Sequence, residues 1–512
     1  MAQRLGELRD REAHIHLGGG KDRIEKQHKA GKLSARERIS SLTDEGSFQE
    51  SYAFAKHRCT AFGLADKEFP ADGVVTGSAT VQGRQVYLAS QDFTVAGGAL
   101  GQIHGTKIVE MMQGSLKTGS PFVFINDSGG ARIQEGIDSL TAYAEVFYHN
   151  TLLSGVVPQI SLILGPCAGG AAYSPALTDF IIQSRSAQIF ITGPSVIKQV
   201  TGADVSPTEL GGPDVQMRKA GNIHFIAEDD HHAIQLCQRL LSFLPSNNVE
   251  DAPYVSFPES ISLVPELNDS VPVEPKQGYD IHRVIDLIVD NGDFLEVQTH
   301  FAANAVVGFG RIKGQTIGLV ANQPSVTAGV LDIDSSDKIA RFVRFCNAFN
   351  IPLVTLVDVP GFLPGLQQEH GGIIRHGAKV LFAYSAATVP KITIVLRKAY
   401  GGAYVAMCCK GLGADKVACW PTAEIAVMGA EGAVAVVFRK ELDAAEDKAA
   451  KRQELITEYR ETFSSPYMAA GRMMVDAIIE PAETRQYIAQ SLALLRNKRD
   501  LRPEKKHGLM PL

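Results

Sequence analysis

The sequence predicts an α/β protein whose fold is built twice along one chain. Three observations carry that expectation. Punctuating residues recur at a constant offset, each copy alternates apolar strand-length runs with helical stretches, and a proline-rich segment separates the copies. The offset comes first, because an internal repeat decides the whole architecture. Gly77-Ser-Ala-Thr-Val-Gln-Gly83 matches Gly308-Phe-Gly-Arg-Ile-Lys-Gly314 at a distance of 231 positions. Val95, Gly98, Leu100, Lys107, Pro121 and Asp127 match Val326, Gly329, Leu331, Lys338, Pro352 and Asp358 at the same distance. After one inserted residue the offset becomes 232: Pro158 matches Pro390, and Gly169-Gly170-Ala171 matches Gly401-Gly402-Ala403.

Within each copy the elements follow in order. Residues 72–92 hold two short strands that turn at Gln82-Gly83, and Lys313-Gly314 gives the same hairpin in the second copy. A helix is expected near 101–118. An apolar run, Pro121-Phe-Val-Phe-Ile-Asn126, then ends at Asp127, and its partner Pro352-Leu-Val-Thr-Leu-Val357 ends at Asp358. Another buried strand, 159–164 or 391–396, runs into the double glycine and a following helix. Alternating buried strands and helices predict a sheet covered by helices. Ser34-Ala-Arg-Glu37 has the form of a capping box, so a helix starts there. Residues 245–275 hold six prolines and read as a linker. The predicted division is 1–258, a linker 259–278, and 279–512.

Composition narrows the function. The 512 residues are 45% apolar and 21% charged, which is globular rather than disordered. A net charge of −6 gives no electrostatic case for nucleic acid or a membrane surface. The ten Lys/Arg among the first forty residues, against six Asp/Glu, fit a solvated charged face. Seven cysteines are scattered without a CxxC pair, so no zinc ribbon, no thioredoxin-like motif and no metal are expected. The charged N-terminus and odd cysteine count predict a reduced, cytoplasmic protein. Residues 146–178 carry no formal charge, but Pro158, Gly169, Gly170 and Pro175 break the run, so a buried strand and helix are expected rather than a membrane span.

Glycine stands out at 48 residues, where the usual ~7% would give roughly 36. The double-glycine junctions are where that excess meets chemistry. Gly-Gly after a strand lets the chain turn sharply into a helix and leaves backbone N–H groups without intrahelical partners. With the helix dipole behind them, such groups stabilise negative charge developing on an oxygen. Glycine there also serves close helix–strand packing. Recurrence in both copies favours the chemical role and predicts a reaction with two oxyanions. Other motifs carry less. Asp127-Ser-Gly-Gly130 resembles a serine-protease segment, yet its partner Asp358-Val-Pro-Gly361 has no serine. Gly308-Phe-Gly-Arg-Ile-Lys-Gly314 is a hairpin rather than a dinucleotide fingerprint, no Walker A motif is present, and Asp229-Asp-His-His232 reads as a polar turn.

Five segments together resemble the carboxyltransferase subunits of biotin-dependent enzymes: Asp127-Ser-Gly-Gly-Ala-Arg-Ile-Gln-Glu135, Gly165-Pro-Cys-Ala-Gly-Gly170, Asp358-Val-Pro-Gly-Phe-Leu-Pro364, Gly371-Gly-Ile-Ile-Arg-His-Gly377 and Arg397-Lys-Ala-Tyr-Gly-Gly402. The resemblance covers nearly the whole chain. It is strongest to propionyl-CoA carboxylase β subunits, the acyl-CoA-binding subunit of transcarboxylase and methylmalonyl-CoA decarboxylase α subunits. It implies two tandem ClpP/crotonase-like domains, an acyl-CoA side in the first and a biotin side in the second. It also implies a homohexamer, a dimer of trimers, with active sites between the N-terminal domain of one subunit and the C-terminal domain of another.

The implied reaction moves a carboxyl group between carboxybiotin and the α-carbon of a short acyl-CoA such as propionyl-CoA or acetyl-CoA. By resemblance, the backbone N–H groups of Gly169 and Gly170 hold the thioester oxygen, and those of Gly402 and Ala403 hold the biotin oxygen. Ala131, Arg132, Ala168, Tyr173, Gly401, Tyr404 and Val405 are implied as substrate-binding residues, Val405 in the acyl pocket. No Met-Lys-Met-type attachment site and no ATP-grasp segment are present, so biotin arrives on a separate carrier protein and is carboxylated by a biotin carboxylase partner. The transfer needs no side-chain base, since biotin freed of its carboxyl can take the α-proton. Two alternatives stay open: the α subunit of a sodium-pumping methylmalonyl-CoA decarboxylase, and a non-catalytic acyl-CoA-binding scaffold.

Overall fold

Two hairpins, each turned by a residue pair with positive φ, start the two sheets. Gln82 and Gly83 have φ of 50° and 77°, and Lys313 and Gly314 have 51° and 77°, as a two-residue turn matched to strand twist requires. A carboxylate grips each turn from below: Asp44 accepts from the Gln82 and Gly83 amides at 2.9 and 2.8 Å, and Asp290 from those of Lys313 and Gly314 at 2.9 and 2.6 Å.

The computed structural model describes every residue except 258, 259 and 261, and the expected boundary between 258 and 259 falls outside the described residues. The chain forms two compact units, Met1–Glu250 and Asp251–Leu512. The first unit contains β1 (Gln49–Ser51), β2 (Val74–Val81), β3 (Arg84–Gln91), β4 (Phe122–Ser128), β5 (Gln159–Ala168), β6 (Phe180–Ser184), β7 (Gln188–Phe190) and β8 (Phe225–Ala227). Their order is β1-β2-β3-β4-β5-β6-β8, with β7 also on β5. The second contains β9 (Leu295–Val297), β10 (Ala305–Ile312), β11 (Gln315–Asn322), β12 (Leu353–Val359), β13 (Lys391–Tyr400), β14 (Lys416–Cys419), β15 (Glu424–Ala426) and β16 (Ala477–Ile478). It repeats the pattern as β9-β10-β11-β12-β13-β14-β16, with β15 on β13. Antiparallel hairpins feed parallel strands in both.

The central parallel strands β4, β12 and β13 are buried from end to end, including their polar residues. Helices Gln102–Thr118 and Ile333–Ala348 follow the hairpins at equivalent places. Each carries a buried lysine that donates to carbonyls of the loop before the hairpin and of the hairpin's first residue: Lys107 to Ala71 and Val74, Lys338 to Gln298, Phe301 and Ala305. Burial pushes both amines down to about 8. No helix among the described residues is long and apolar enough to cross a membrane.

Candidate functional site

β5 is paired twice along one edge. β6 follows residues 160–163, and β7 follows residues 166–168. The edge therefore splits where β5 ends, and the chain leaves it through Gly169 at φ +62° to start the helix Gly170–Leu177. In the second unit β14 and β15 share β13 in the same way, and Gly401 turns the chain at φ +58°. An L side chain at either place costs roughly 1–2 kcal/mol of backbone strain, which explains why both are glycine.

At the first junction one of the two expected amides is already engaged. The Gly169 N–H donates to Phe190 O at 3.1 Å, extending the β5–β7 ladder, and the Ala172 N–H donates to Gly169 O at 3.1 Å. Gly170 and Ala171 are the helix's first two positions, with strand rather than helix behind them, so their N–H groups are the ones left open. Of the expected pair Gly169–Gly170, the first amide is therefore engaged in the sheet, and Gly170–Ala171 is the pair at the helix start. It stands in register with Gly402–Ala403 at the start of the helix Gly401–Ala406. Both pairs sit where a helix dipole adds positive potential.

The ionisable groups nearest the ends of the two strands are engaged elsewhere. Cys167 is buried beside the first, and burial pushes its thiol up, so it is a protonated group rather than a nucleophile. Asp127, next to last in β4, is locked by Lys32 Nζ at 2.7 Å and Arg38 Nη1 at 2.9 Å. Arg38 also meets Asp230 at 2.8 Å and donates to Leu164 O at 2.9 Å. A Cβ on Gly165 would lie 1.9 Å from Asp127 Oδ1, so this glycine makes room for the ion cluster. At the second junction Asp358 is held by Arg397 Nε at 3.0 Å and Lys398 Nζ at 3.5 Å.

A cavity of about 840 Å³ opens beside the second junction. Gly401, Gly402, Tyr404 and Val405 form one side, and Tyr459, Phe463 and Met468 face them. Its wall contains no carboxylate and no imidazole among the described residues. Lys410 and Arg472 are the cations of a lining that is otherwise mostly apolar, and backbone amides in such a chamber stabilise charge without supplying an acid or base.

The remaining expected residues divide plainly. Gly401, Gly402, Tyr404 and Val405 come together on this cavity; Tyr404 is buried and Val405 is 38% exposed. Around the first junction, Ala131 bridges Leu100, and Ala168 carries the carbonyl that a Cβ on Gly130 would meet at 2.9 Å. Tyr173 is 51% exposed, edge-on to Phe147. The Arg132 guanidinium is buried between Asp72 and Glu135, at 2.6 and 2.7 Å. What it supplies is order in the loop that carries Ala131. Sequence reasoning missed Tyr143, whose ring a Cβ on Gly170 would approach to 3.1 Å. It also missed the wall at 459–468, because that segment has no counterpart in the first copy to flag it.

A family model described as the carboxyl transferase domain matches residues 26–510. The chain is 59% identical over 511 residues to the methylmalonyl-CoA carboxyltransferase 12S subunit of Propionibacterium freudenreichii subsp. shermanii, covering 100% of this chain and 98% of the relative. It is 54% identical to the methylmalonyl-CoA decarboxylase subunit alpha of Propionigenium modestum, with coverage of 100% and 99%. A crystal structure of transcarboxylase 12S, described as a hexamer with methylmalonyl-coenzyme A and methylmalonic acid bound, superposes with a TM-score of 0.98 at 59% identity, covering 100% of this chain and 98% of that one.

Proposed function

The chain belongs to the carboxyl transferase family, and on that footing we propose that it moves a carboxyl group between carboxybiotin and the α-carbon of a short acyl-CoA, interconverting propionyl-CoA and methylmalonyl-CoA. The observation that carries this reading is the matched pair of strand-to-helix junctions with open backbone donors. Transfer of a carboxyl group places negative charge on two oxygens, that of the thioester as its α-carbon becomes an enolate, and that of the ureido ring as its N–C bond breaks. Gly170 and Ala171 serve the thioester oxygen; Gly402 and Ala403 serve the ureido oxygen. The 840 Å³ cavity has the largely apolar walls, with Lys410 and Arg472 among them, and the backbone donors that suit a bicyclic ureido head. Val405 borders the acyl group, and Ala131, Ala168 and Tyr173 lie on the acyl-CoA side.

Biotin is a substrate here, delivered on a separate carrier protein and carboxylated by a biotin carboxylase subunit. The chain works in the cytoplasm as a homohexamer, the assembly given for transcarboxylase 12S. The test is exchange of labelled carboxyl from methylmalonyl-CoA to free biotin by the purified chain. Labelled carboxybiotin is the expected product; no exchange from methylmalonyl- or malonyl-CoA overturns the reading and leaves a non-catalytic scaffold. A second reading is favoured by the 54% identical decarboxylase subunit: the same transfer run only from methylmalonyl-CoA to biotin. Purification from its host separates the two, since a polytopic membrane subunit accompanies a decarboxylase and a soluble biotin carboxylase accompanies a carboxylase.

A further inference from the structure

The two junctions differ in the residue that precedes them, and that difference builds a supporting layer around only one. Ala168 precedes the first double glycine and Tyr400 the second. On the neighbouring strands, two residues back in register, Gln188 begins β7 opposite Pro166 and Glu424 begins β15 opposite Lys398. Gln188 turns back on its own loop and donates to Ser186 O at 2.8 Å. Glu424 instead accepts a short hydrogen bond from the Tyr400 hydroxyl.

The connection continues past Glu424. Arg460 Nε lies 3.7 Å from the other Glu424 oxygen, and Arg460 Nη2 donates to Glu431 at 3.2 Å. A chain of polar contacts therefore runs Tyr400–Glu424–Arg460–Glu431, from the end of β13 through β15 to the first turn of the helix Ala430–Val437. The Tyr400 ring fills the space beneath the turn into that helix, where a Cβ on Gly429 would meet it at 3.2 Å. Arg460 itself opens a five-residue π-helical turn, Arg460–Ser464, after the helix Lys448–Tyr459. Such a turn rotates the residues that follow it around the helix axis and is common at functional sites. Here the rings of Tyr459 and Phe463, on either side of Arg460, meet tilted at 5.1 Å between centroids and line the cavity.

We infer that Tyr400, Glu424 and Arg460 are positioning residues that set the width of the cavity beside Gly402. They tie the aromatic wall of Tyr459 and Phe463 to the floor made by Ile425, Ala426 and Val427, and so fix how closely a bicyclic ureido head is gripped, without touching it. The inference rests on the assignment of the Gly402 site to biotin. The tyrosine and glutamate occur in one copy only, since Ala168 and Gln188 stand at their places in the first.

Tyr400→Phe removes one hydroxyl and Glu424→Gln keeps the side-chain shape, so both isolate the contact. Carboxyl exchange with free biotin is followed while biotin and methylmalonyl-CoA are varied separately. The KM for biotin should rise about fivefold, the equivalent of one hydrogen bond of about 1 kcal/mol, while the KM for methylmalonyl-CoA stays at the wild-type value. Arg460→Lys should fall closer to wild type than Arg460→Met. An unchanged biotin KM in Tyr400→Phe and Glu424→Gln overturns the inference, and so does an equal rise in both KM values. If Glu424→Gln does not fold, Tyr400→Phe decides alone. A wild-type chain that exchanges no carboxyl with free biotin sinks the site assignment and this inference with it; an active wild type with unaltered variants sinks the inference only.

Discussion

Asp127 and Asp358 stand at the same point of the two sheets, and a buried arginine holds each carboxylate, Arg38 at 2.9 Å and Arg397 at 3.0 Å. The arginines come from different places. Arg38 lies on the helix Ala35–Leu42, near the start of the chain, whereas Arg397 belongs to β13, the strand next to Asp358. The repeat preserved the carboxylate and replaced its counter-ion. Arg397 does one thing more: its Nη1 donates to the carbonyls of Pro272, Glu274 and Gln277 and so ties down the proline-rich strap. Arg397→Met leaves Asp358 buried with Lys398 at 3.5 Å as its remaining cation. Breaking such a pair costs about 3–5 kcal/mol. A lower urea midpoint and faster proteolytic nicking at 272–277 are expected; wild-type resistance to both would contradict the role.

Neighbouring glycines at the second junction should fail in different ways. A Cβ on Gly402 meets no protein atom within 4 Å, and its φ is not positive, so Gly402→Ala should keep wild-type stability. The added methyl occupies the space an oxygen needs to reach the amides. Losing an oxyanion donor costs on the order of 10²–10³ in rate, and a partial loss of that size is expected in exchange activity. Gly401→Ala instead forces φ +58° on an L residue and brings Cβ to 2.9 Å from Val427 O, so its loss appears in the unfolding midpoint. Thermal melts and exchange rates on the two variants separate the effects.

Much of this was legible because the chain states its plan twice. The hairpin turns, the buried strands with Asp127 and Asp358 next to last, and the glycine junctions all lie at repeated positions. The glycines between them mark close approaches of backbone: a Cβ on Gly98 would lie 2.1 Å from Asp127 O, and one on Gly329 would lie 2.9 Å from Asp358 O. Gly19 has a similar reason, since a Cβ there would lie 1.9 Å from Thr94 O, where the first helices dock on the loop after β3. What stayed hidden was whatever one copy does alone. Tyr400, Glu424, Arg460 and the π turn have no repeated partner, and ion pairs such as Arg38–Asp127 join residues 89 positions apart. The occupied Gly169 amide was out of reach for another reason. Whether an amide is open depends on the strand beside it, and no local motif records that strand.

His282 predicts a pH dependence. Its Nε2 lies 2.8 Å from Glu296 and its Nδ1 lies 2.7 Å from Asp280. The Glu296 hydrogen bond, foremost, raises the imidazole to about 9. The folded value exceeds the unfolded one of about 6.5, so the charged pair's stabilisation is complete below about pH 6.5 and disappears as pH rises through about 9. His282→Gln removes that contribution. The gap in melting temperature between wild type and variant should be widest at pH 6 and close by pH 9.5, and a gap independent of pH would refute the charged state.

Val405 offers the most direct test of which substrate meets the second unit. It is 38% exposed and lines the same cavity as Gly402, so a larger side chain enters the chamber rather than the core. If the acyl group of the CoA thioester lies against Val405, Val405→Phe should penalise propionyl-CoA far more than acetyl-CoA. One methylene in an apolar pocket is worth about 1–3 kcal/mol, or roughly 10–200-fold in kcat/KM. Val405→Ala should shift preference the other way, toward butyryl-CoA. Acetyl-, propionyl- and butyryl-CoA assayed with one carboxybiotin donor give the ratios directly. A change confined to those ratios places the acyl chain at Val405. A uniform fall for all three, with the KM for biotin raised, would place Val405 against the ureido ring instead and move the acyl pocket elsewhere.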